Sequence, residues 1–248
     1  MLELIILALG ICIGSFLNVC IYRVPVKISI IMPPSHCFQC KKQLKSWDLI
    51  PIISYFFLQG RCRYCRSLVS ARYPFVELLT GLSFLWCFVI VGLSYELIKT
   101  LILTSFLIVI SFIDYDHQLI LDKVLIWLAG VGVAINLYTG YVSVLQMLLA
   151  ALVGGGILLA IALASRGGMG MGDVKFAAVL GLWLGVQHIV LTLFLSFIIG
   201  GIGGVILLAL KLKSRKDAVP FGPYLAVGAF IAMLYGNNLL RWYIVNFL

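Results

Sequence analysis

Residues 176–210 read FAAVLGLWLGVQHIVLTLFLSFIIGGIGGVILLAL, 35 positions without one Asp, Glu, Lys or Arg. A single helix of that length would extend about 50 Å, whereas the hydrocarbon core of a bilayer is about 30 Å thick. The run is therefore read as two membrane spans divided around Gln187-His188, the polar pair inside it. Toward the N-terminus, further apolar stretches run from Leu2 to Tyr22, Phe75 to Tyr95, Leu97 to Ile113, Val124 to Tyr138 and Val142 to Ala164. Toward the C-terminus, one from about Tyr224 to Tyr235 precedes a short tail containing Arg241. The predicted fold is an all-α polytopic membrane protein of about eight transmembrane helices.

Composition excludes a soluble globular domain: 63% of the 248 residues are hydrophobic and 11% charged. The chain enters its first apolar run directly after Met1-Leu2-Glu3, without the basic segment of a cleaved signal, so residues 2–22 are expected to remain as a span. The net charge of +9 is concentrated in one place. Nine of the 18 basic residues lie between Arg23 and Arg72 with one acid, Asp48, which gives that stretch +8 and leaves +1 elsewhere. Basic residues resist translocation, so this is the pattern of a cytoplasmic loop. Without interleaved aromatic platforms it does not read as a nucleic-acid surface, and membrane lipid is the expected surrounding partner.

With the N-terminus outside, eight spans put 23–74, 114–123, 165–175 and 211–223 in the cytoplasm, and these segments hold 16 of the 18 basic residues. Three regions follow: the span 1–22, the basic loop 23–74 and the transmembrane remainder 75–248. The glycine clusters Gly154-Gly155-Gly156 and Gly200-Gly201 with Gly203-Gly204 are read as close helix packing.

Inside the basic loop, Cys37-Phe38-Gln39-Cys40 and Cys62-Arg63-Tyr64-Cys65 form two CxxC knuckles separated by 21 residues. Two residues between thiolates let both reach one tetrahedral ion, and four thiolates complete a structural zinc site with no position open for water. A loop this short has little core of its own, so metal would supply much of its folding energy. A redox-active dithiol is the alternative reading.

The chain has nine acids, and three of them, Asp114, Asp116 and Asp122, crowd together where the third span meets the cytoplasm. Asp173 ends the glycine-rich run Gly167-Gly168-Met169-Gly170-Met171-Gly172 on the same expected face. Two carboxylates sharing one proton can hydrolyse a peptide, the ionised member activating water and the protonated one polarising the carbonyl. A lone acid at an interface also serves as a helix cap or a solvated flank, and Asp116 and Asp122 can be read that way. The glycine-rich run lacks the Gly-Lys-Ser/Thr ending of a phosphate loop, which argues against a nucleotide.

Gly14-Ser15-Phe16-Leu17-Asn18-Val19 with Arg23-Val24-Pro25, the paired knuckles, Leu49-Ile50-Pro51, Tyr73-Pro74 with Glu77, Gly168–Lys175 and Pro220-Phe221-Gly222-Pro223 follow one another in a recognisable order. In that order they resemble the bacterial type IV prepilin peptidases over almost the whole chain. The resemblance implies an aspartyl peptidase domain in 75–248 with Asp114 and Asp173 as the catalytic pair. It also implies prepilin or pseudopilin substrates, whose short basic leader is cut after a glycine at the cytoplasmic face. The sequence departs from the family at Leu121 and Phe38, where proline is usual. Many members also methylate the new N-terminus from S-adenosylmethionine through the N-terminal region, an activity that rests here on the likeness alone.

Three readings compete. The first is a bifunctional peptidase and methyltransferase, and the second a peptidase whose zinc loop only scaffolds. The third is a non-enzymatic carrier or scaffold with a zinc-stabilised docking loop, whose acids should recur within span interiors. A zinc protease is disfavoured because no HExxH occurs and His36, His117 and His188 are scattered.

Overall fold

The structure, a computed structural model, describes residues 1–165, 168–212 and 219–247. Gly167 of the predicted glycine-rich site and residues 213–218 of the predicted cytoplasmic segment lie outside those residues. Among the described residues the regular structure is helical, with two isolated bridges and no strand. The helices are α1 (Leu2–Arg23), α2 (Ile53–Phe57), α3 (Arg72–Val91), α4 (Tyr95–His117), α5 (Asp122–Thr139), α6 (Val144–Ala164), α7 (Met171–Leu184), α8 (Val186–Ala209) and α9 (Gly222–Phe247). Seven of them, all but α2 and α7, are long and apolar enough to cross a membrane. Their exposed side chains include Leu4, Trp86, Leu152 and Val205, the mark of helices solvated by lipid tails rather than by water. The protein is therefore a multi-pass membrane protein.

The chain divides into two compact units, Met1–Leu97 and Ile98–Leu248. In the first, α1 packs antiparallel on α3. Gly10 and Gly14, four residues apart, form the seam, and a Cβ at Gly14 would meet the Glu77 Cα at 2.7 Å. Small residues at that spacing let two backbones approach where lipid offers no hydrophobic drive between helices. The sequence reading groups 75–248 as one region, whereas packing groups α3 with α1.

In the second unit α6 and α7 pack antiparallel, and a Cβ at Gly154 would lie 2.8 Å from the Ala177 carbonyl oxygen. Trp183 of α7 is fully buried against Gly132 of α5 and donates from Nε1 to the Leu128 carbonyl at 2.8 Å. Asn136 donates to the Leu182 carbonyl at 2.8 Å and accepts from Lys99 Nζ at 2.8 Å. Lys99 is 15 residues from Asp114 along α4, about 22 Å at the helical rise, so this network closes the other end of the unit.

The expected break near Gln187-His188 falls at Gly185, with φ 79° and ψ 172°, a conformation glycine adopts without steric cost. The helix before it, α7, has 14 residues and reaches only about 21 Å, less than a full bilayer core. The expected end of the last span at Tyr235 is also corrected, since α9 continues through Arg241 to Phe247. Of the expected packing glycines, Gly154 and Gly155 meet α7 and Gly203 meets the Tyr224 ring, while Gly156, Gly201 and Gly204 face open space.

Candidate active site and metal centre

Because successive helices of the second unit alternate in direction, the end of α4 and the starts of α5, α7 and α9 share one side of it. α4 stops after His117, where Gln118 turns into the left-handed region at φ 51°. Asp114 sits in the last turn before that stop and is 5% exposed. Its Oδ2 accepts the backbone N–H of Gly222, the first residue of α9, at 2.9 Å. The four first N–H groups of a helix have no partner within the helix, and a carboxylate is a natural acceptor for one.

Asp173 lies in the first turn of α7 and is 9% exposed. Gly170 starts that helix without a side-chain cap, and the Asp173 carboxyl folds back over it. Its Oδ1 is buried and is the one such side-chain atom without a hydrogen-bond partner among the described residues. A buried polar atom of this kind costs free energy unless something it is meant to meet supplies the bond. Asp114 is close enough to act on Asp173 by charge, so the two predicted acids share one site.

The neighbouring acids are placed differently. Asp116 is exposed. Asp122 begins α5 and pairs with Lys175 Nζ at 2.8 and 3.0 Å in an exposed ion pair, which ties the start of α5 to α7. Between them, Ile120 is buried and seats on Gly172. Leu121, where the family carries proline, has φ −78° and ψ 123°, a backbone that proline itself adopts.

Gly222, within Pro220-Phe221-Gly222-Pro223, has a role that sequence pattern alone does not reveal. A Cβ there would lie 2.6 Å from Asp114 Oδ2, so the position needs both the free amide and the missing side chain. Gly222→Ala is expected to lower peptide cleavage about tenfold to a hundredfold while the chain still accumulates in membranes, given ~1.5–3 kcal/mol for a hydrogen bond to a charged group. Rates normalised to membrane-inserted protein check it, and a wild-type rate would remove Gly222 from the site.

In the first unit the four cysteine sulfurs of Cys37, Cys40, Cys62 and Cys65 all lie within 4.8 Å of one another and form a group that could hold a metal ion. The two knuckles repeat one geometry. Cys37 N–H donates to the Lys42 carbonyl at 3.0 Å, and Cys62 N–H to the Ser67 carbonyl at 2.8 Å. Lys41 and Arg66, each just after a second cysteine, have φ 58° and 59°. The Cys37 and Cys65 sulfurs are 3.7 Å apart, against about 3.8 Å for two ligands on a tetrahedron with Zn–S bonds of about 2.3 Å. The backbone N–H of Cys40 draws the Cys37 thiol down to about 6, and Ser67 lowers Cys65. The donor set and its spacing fit zinc.

Asp48, the sole acid of the basic loop, ties the 3-10 turn Ser46–Leu49 to the second knuckle. It accepts from the Lys45 N–H at 3.1 Å, from Arg63 Nε and from the Tyr64 hydroxyl at 3.2 Å. Burial alone would raise its carboxyl, but the Arg63 guanidinium and these bonds hold it below the usual range. Phe38 packs on Tyr22 of α1 with ring centroids 4.9 Å apart, which fastens the first knuckle to the helix.

A family model described as "Bacterial Peptidase A24 N-terminal domain" matches residues 8–91, and one described as "Type IV leader peptidase family" matches residues 101–205. The chain is 35% identical over 265 residues to an Aeromonas hydrophila protein named "Prepilin leader peptidase/N-methyltransferase", covering 95% of this chain and 91% of that one. A protein of the same name from Legionella pneumophila is 35% identical, over 98% of this chain and 94% of its own. Another from Bacillus subtilis is 34% identical over 97% of each chain. No solved structure matches the chain.

Proposed function

The chain belongs to the type IV leader peptidase family, and on that premise we propose that it is a membrane aspartyl peptidase with Asp114 and Asp173 as its catalytic pair. It removes the basic leader from type IV prepilins or pilin-like pseudopilins at the cytoplasmic face of a bacterial membrane. The observation that carries the residue assignment is the pairing of a buried, amide-held Asp114 with a buried Asp173 whose Oδ1 has no partner.

The chemistry follows from those contacts. Asp114 has the Gly222 N–H on its Oδ2, a hydrogen bond that supports its anion. It takes a proton from water as that water attacks the scissile carbonyl carbon. Asp173 carries the shared proton and gives it to the carbonyl oxygen. When the tetrahedral diol collapses, the C–N bond breaks, the proton held by Asp114 passes to the departing amine, and one diol hydroxyl returns its proton to Asp173 as the new carboxyl group forms. A soluble protein would need deep walls to dry such a pair, whereas the membrane edge supplies that low-dielectric setting.

The cytoplasmic assignment is supported by the distribution of charge, 16 of 18 basic residues falling in segments on one side. The peptide's own basic leader is held on that side by the same rule. The cysteine cluster binds structural zinc. The curated relatives are named N-methyltransferases as well as peptidases, and here the new N-terminus is methylated from S-adenosylmethionine.

Mass spectrometry of a prepilin produced together with this chain tests the function. The expected product has lost its leader after the glycine and gained one methyl group at the new N-terminus. An intact prepilin beside membrane-inserted protein would favour the carrier or scaffold reading. Leader loss without the methyl group would leave the peptidase alone.

A further inference from the structure

Two helices of the second unit each carry one member of the acid pair at one end and one side of a buried polar node at the other. α4 holds Asp114 in its last turn and Lys99 near its start. α7 holds Asp173 in its first turn and the Leu182 and Trp183 carbonyls in its last. Between those far ends stands Asn136 of α5, 1% exposed.

Leu182 and Trp183 belong to the last four residues of α7, whose carbonyls have no partner inside the helix. Asn136 Nδ2 donates to both, at 2.8 and 3.3 Å, and so caps α7 from another helix. Its Oδ1 accepts from Lys99 Nζ at 2.8 Å. The ammonium thus stands beyond the C-terminus of α7, the helix end that favours a cation. Lys99 is nevertheless 9% exposed, and a dry lysine is costly unless its surroundings compensate it. Buried polar groups of this kind fix register between helices, where apolar packing alone tolerates sliding.

The register at stake is that of α4 against α7, which run antiparallel. Lys99 lies 15 residues from Asp114, whereas Leu182 lies nine from Asp173. At the helical rise these separations are about 22 and about 14 Å, so the far ends are offset by about 8 Å along the axes. The four-carbon stem of Lys99 and the Asn136 amide close that offset. α7 does not slide by itself. A Cβ at Gly181 would collide with the Ala150 backbone and one at Gly154 with the Ala177 carbonyl, so α7 is interlocked with α6. Trp183 Nε1, on the Leu128 carbonyl at 2.8 Å, fastens it to α5. The node adds the tie from that body to α4, the helix that carries Asp114. At the near end the corresponding ties are Ile120 on Gly172 and the Asp122–Lys175 pair, which is exposed and therefore weak.

We propose that Lys99 and Asn136 are positioning residues for peptide cleavage: they set the axial register of α7 against α4 and so bring Asp173 level with Asp114. The inference rests on the catalytic-pair reading given above and explains why a cation is kept dry at the opposite end of the unit. Register held from a distance matters to the rate, because a misplacement of about 1 Å between reacting groups costs about 100-fold.

Steady-state kinetics of prepilin cleavage by the purified full-length chain tests it, with Asp173→Asn assayed alongside. Lys99→Met cuts the tie to α4 and leaves Asn136 on the α7 carbonyls. Lys99→Met combined with Asn136→Leu replaces both partners by apolar side chains, so neither is left buried without the other. Both variants are expected to accumulate in membranes and to lose about tenfold or more in kcat, with KM within about twofold of wild type. Lys99→Arg keeps the cation and its reach and should remain within about threefold of wild type in kcat. A wild-type kcat in the double variant, beside an inactive Asp173→Asn, would reduce the node to packing and leave the catalytic pair standing. A raised KM with kcat unchanged would place the effect on substrate binding, which also overturns the proposal. Failure of both variants to accumulate would make the node a requirement of assembly rather than of alignment, with the same result. A wild-type rate in Asp173→Asn would remove the catalytic pair itself, and this inference with it.

Discussion

Asp114→Asn and Asp173→Asn are each expected to reduce prepilin cleavage in membranes by about 10²–10⁴-fold, the scale of a positioned general acid or base. Asparagine keeps the size of the carboxylate, and at position 114 its carbonyl can still accept the Gly222 N–H that Asp114 Oδ2 accepts at 2.9 Å. It can neither ionise nor hold a transferable proton. The substitution therefore removes the chemistry while sparing the packing, and amounts of inserted protein should stay near wild type. Asp116→Asn and Asp122→Asn provide the contrast. Asp116 is exposed and Asp122 is in an exposed pair with Lys175, so both should cleave within about twofold of wild type, since surface pairs contribute only about 0–1 kcal/mol. The readout is the fraction of leader removed with time, normalised to inserted protein. Loss of activity in Asp116→Asn with retention in Asp114→Asn would move the site by two residues. Full activity in all four would overturn the assignment of Asp114 and Asp173 as the catalytic pair.

Spans and knuckles were legible in the sequence because both depend on local pattern. Length and hydropathy alone divide residues 176–210, and two CxxC pairs at zinc spacing announce their cluster. What escaped depends on backbone conformation or on contacts between distant segments. Gly185 breaks the apolar run because of a positive φ, and nothing in composition distinguishes it from Gly181, four residues earlier. The Gly222 amide on Asp114 joins positions 108 apart in sequence, and the only sign of it was a glycine between two prolines. The positive φ of Ile52 could not have been foreseen, since isoleucine is among the residues least suited to it. The family resemblance singled out Asp114 rather than Asp116, a distinction that periodicity does not make. Burial and the Gly222 contact supply a physical reason for that choice.

Removing zinc should unfold the loop 23–74 outright. Its helices are a single 3-10 turn (Ser46–Leu49) and the five residues of α2, and Trp47, Phe56, Phe57 and Leu68 are all exposed. Such a loop buries too little apolar surface to offset the entropy of ordering its chain. Structural zinc contributes about 10–16 kcal/mol at neutral pH in small zinc domains, more than any other interaction available here. Wild-type protein should carry one zinc ion per chain, and Cys37→Ser or Cys62→Ser should lose it. Trypsin provides the structural readout, because nine Lys and Arg residues lie between Arg23 and Arg72. A chelator should convert that segment from resistant to rapidly cut while the membrane helices stay protected. The pH dependence has a definite sign. Cys37 is drawn down to about 6 by the Cys40 amide, so its thiolate is available at neutral pH without the metal. Acid protonates the thiolates that hold the metal, so zinc should be released on acidification rather than on alkalinisation. Zinc retained by both serine variants, or a loop that resists trypsin after chelation, would show that the metal does not hold the loop. Purified protein without metal and with its cysteines paired as disulfides would point instead to the redox dithiol.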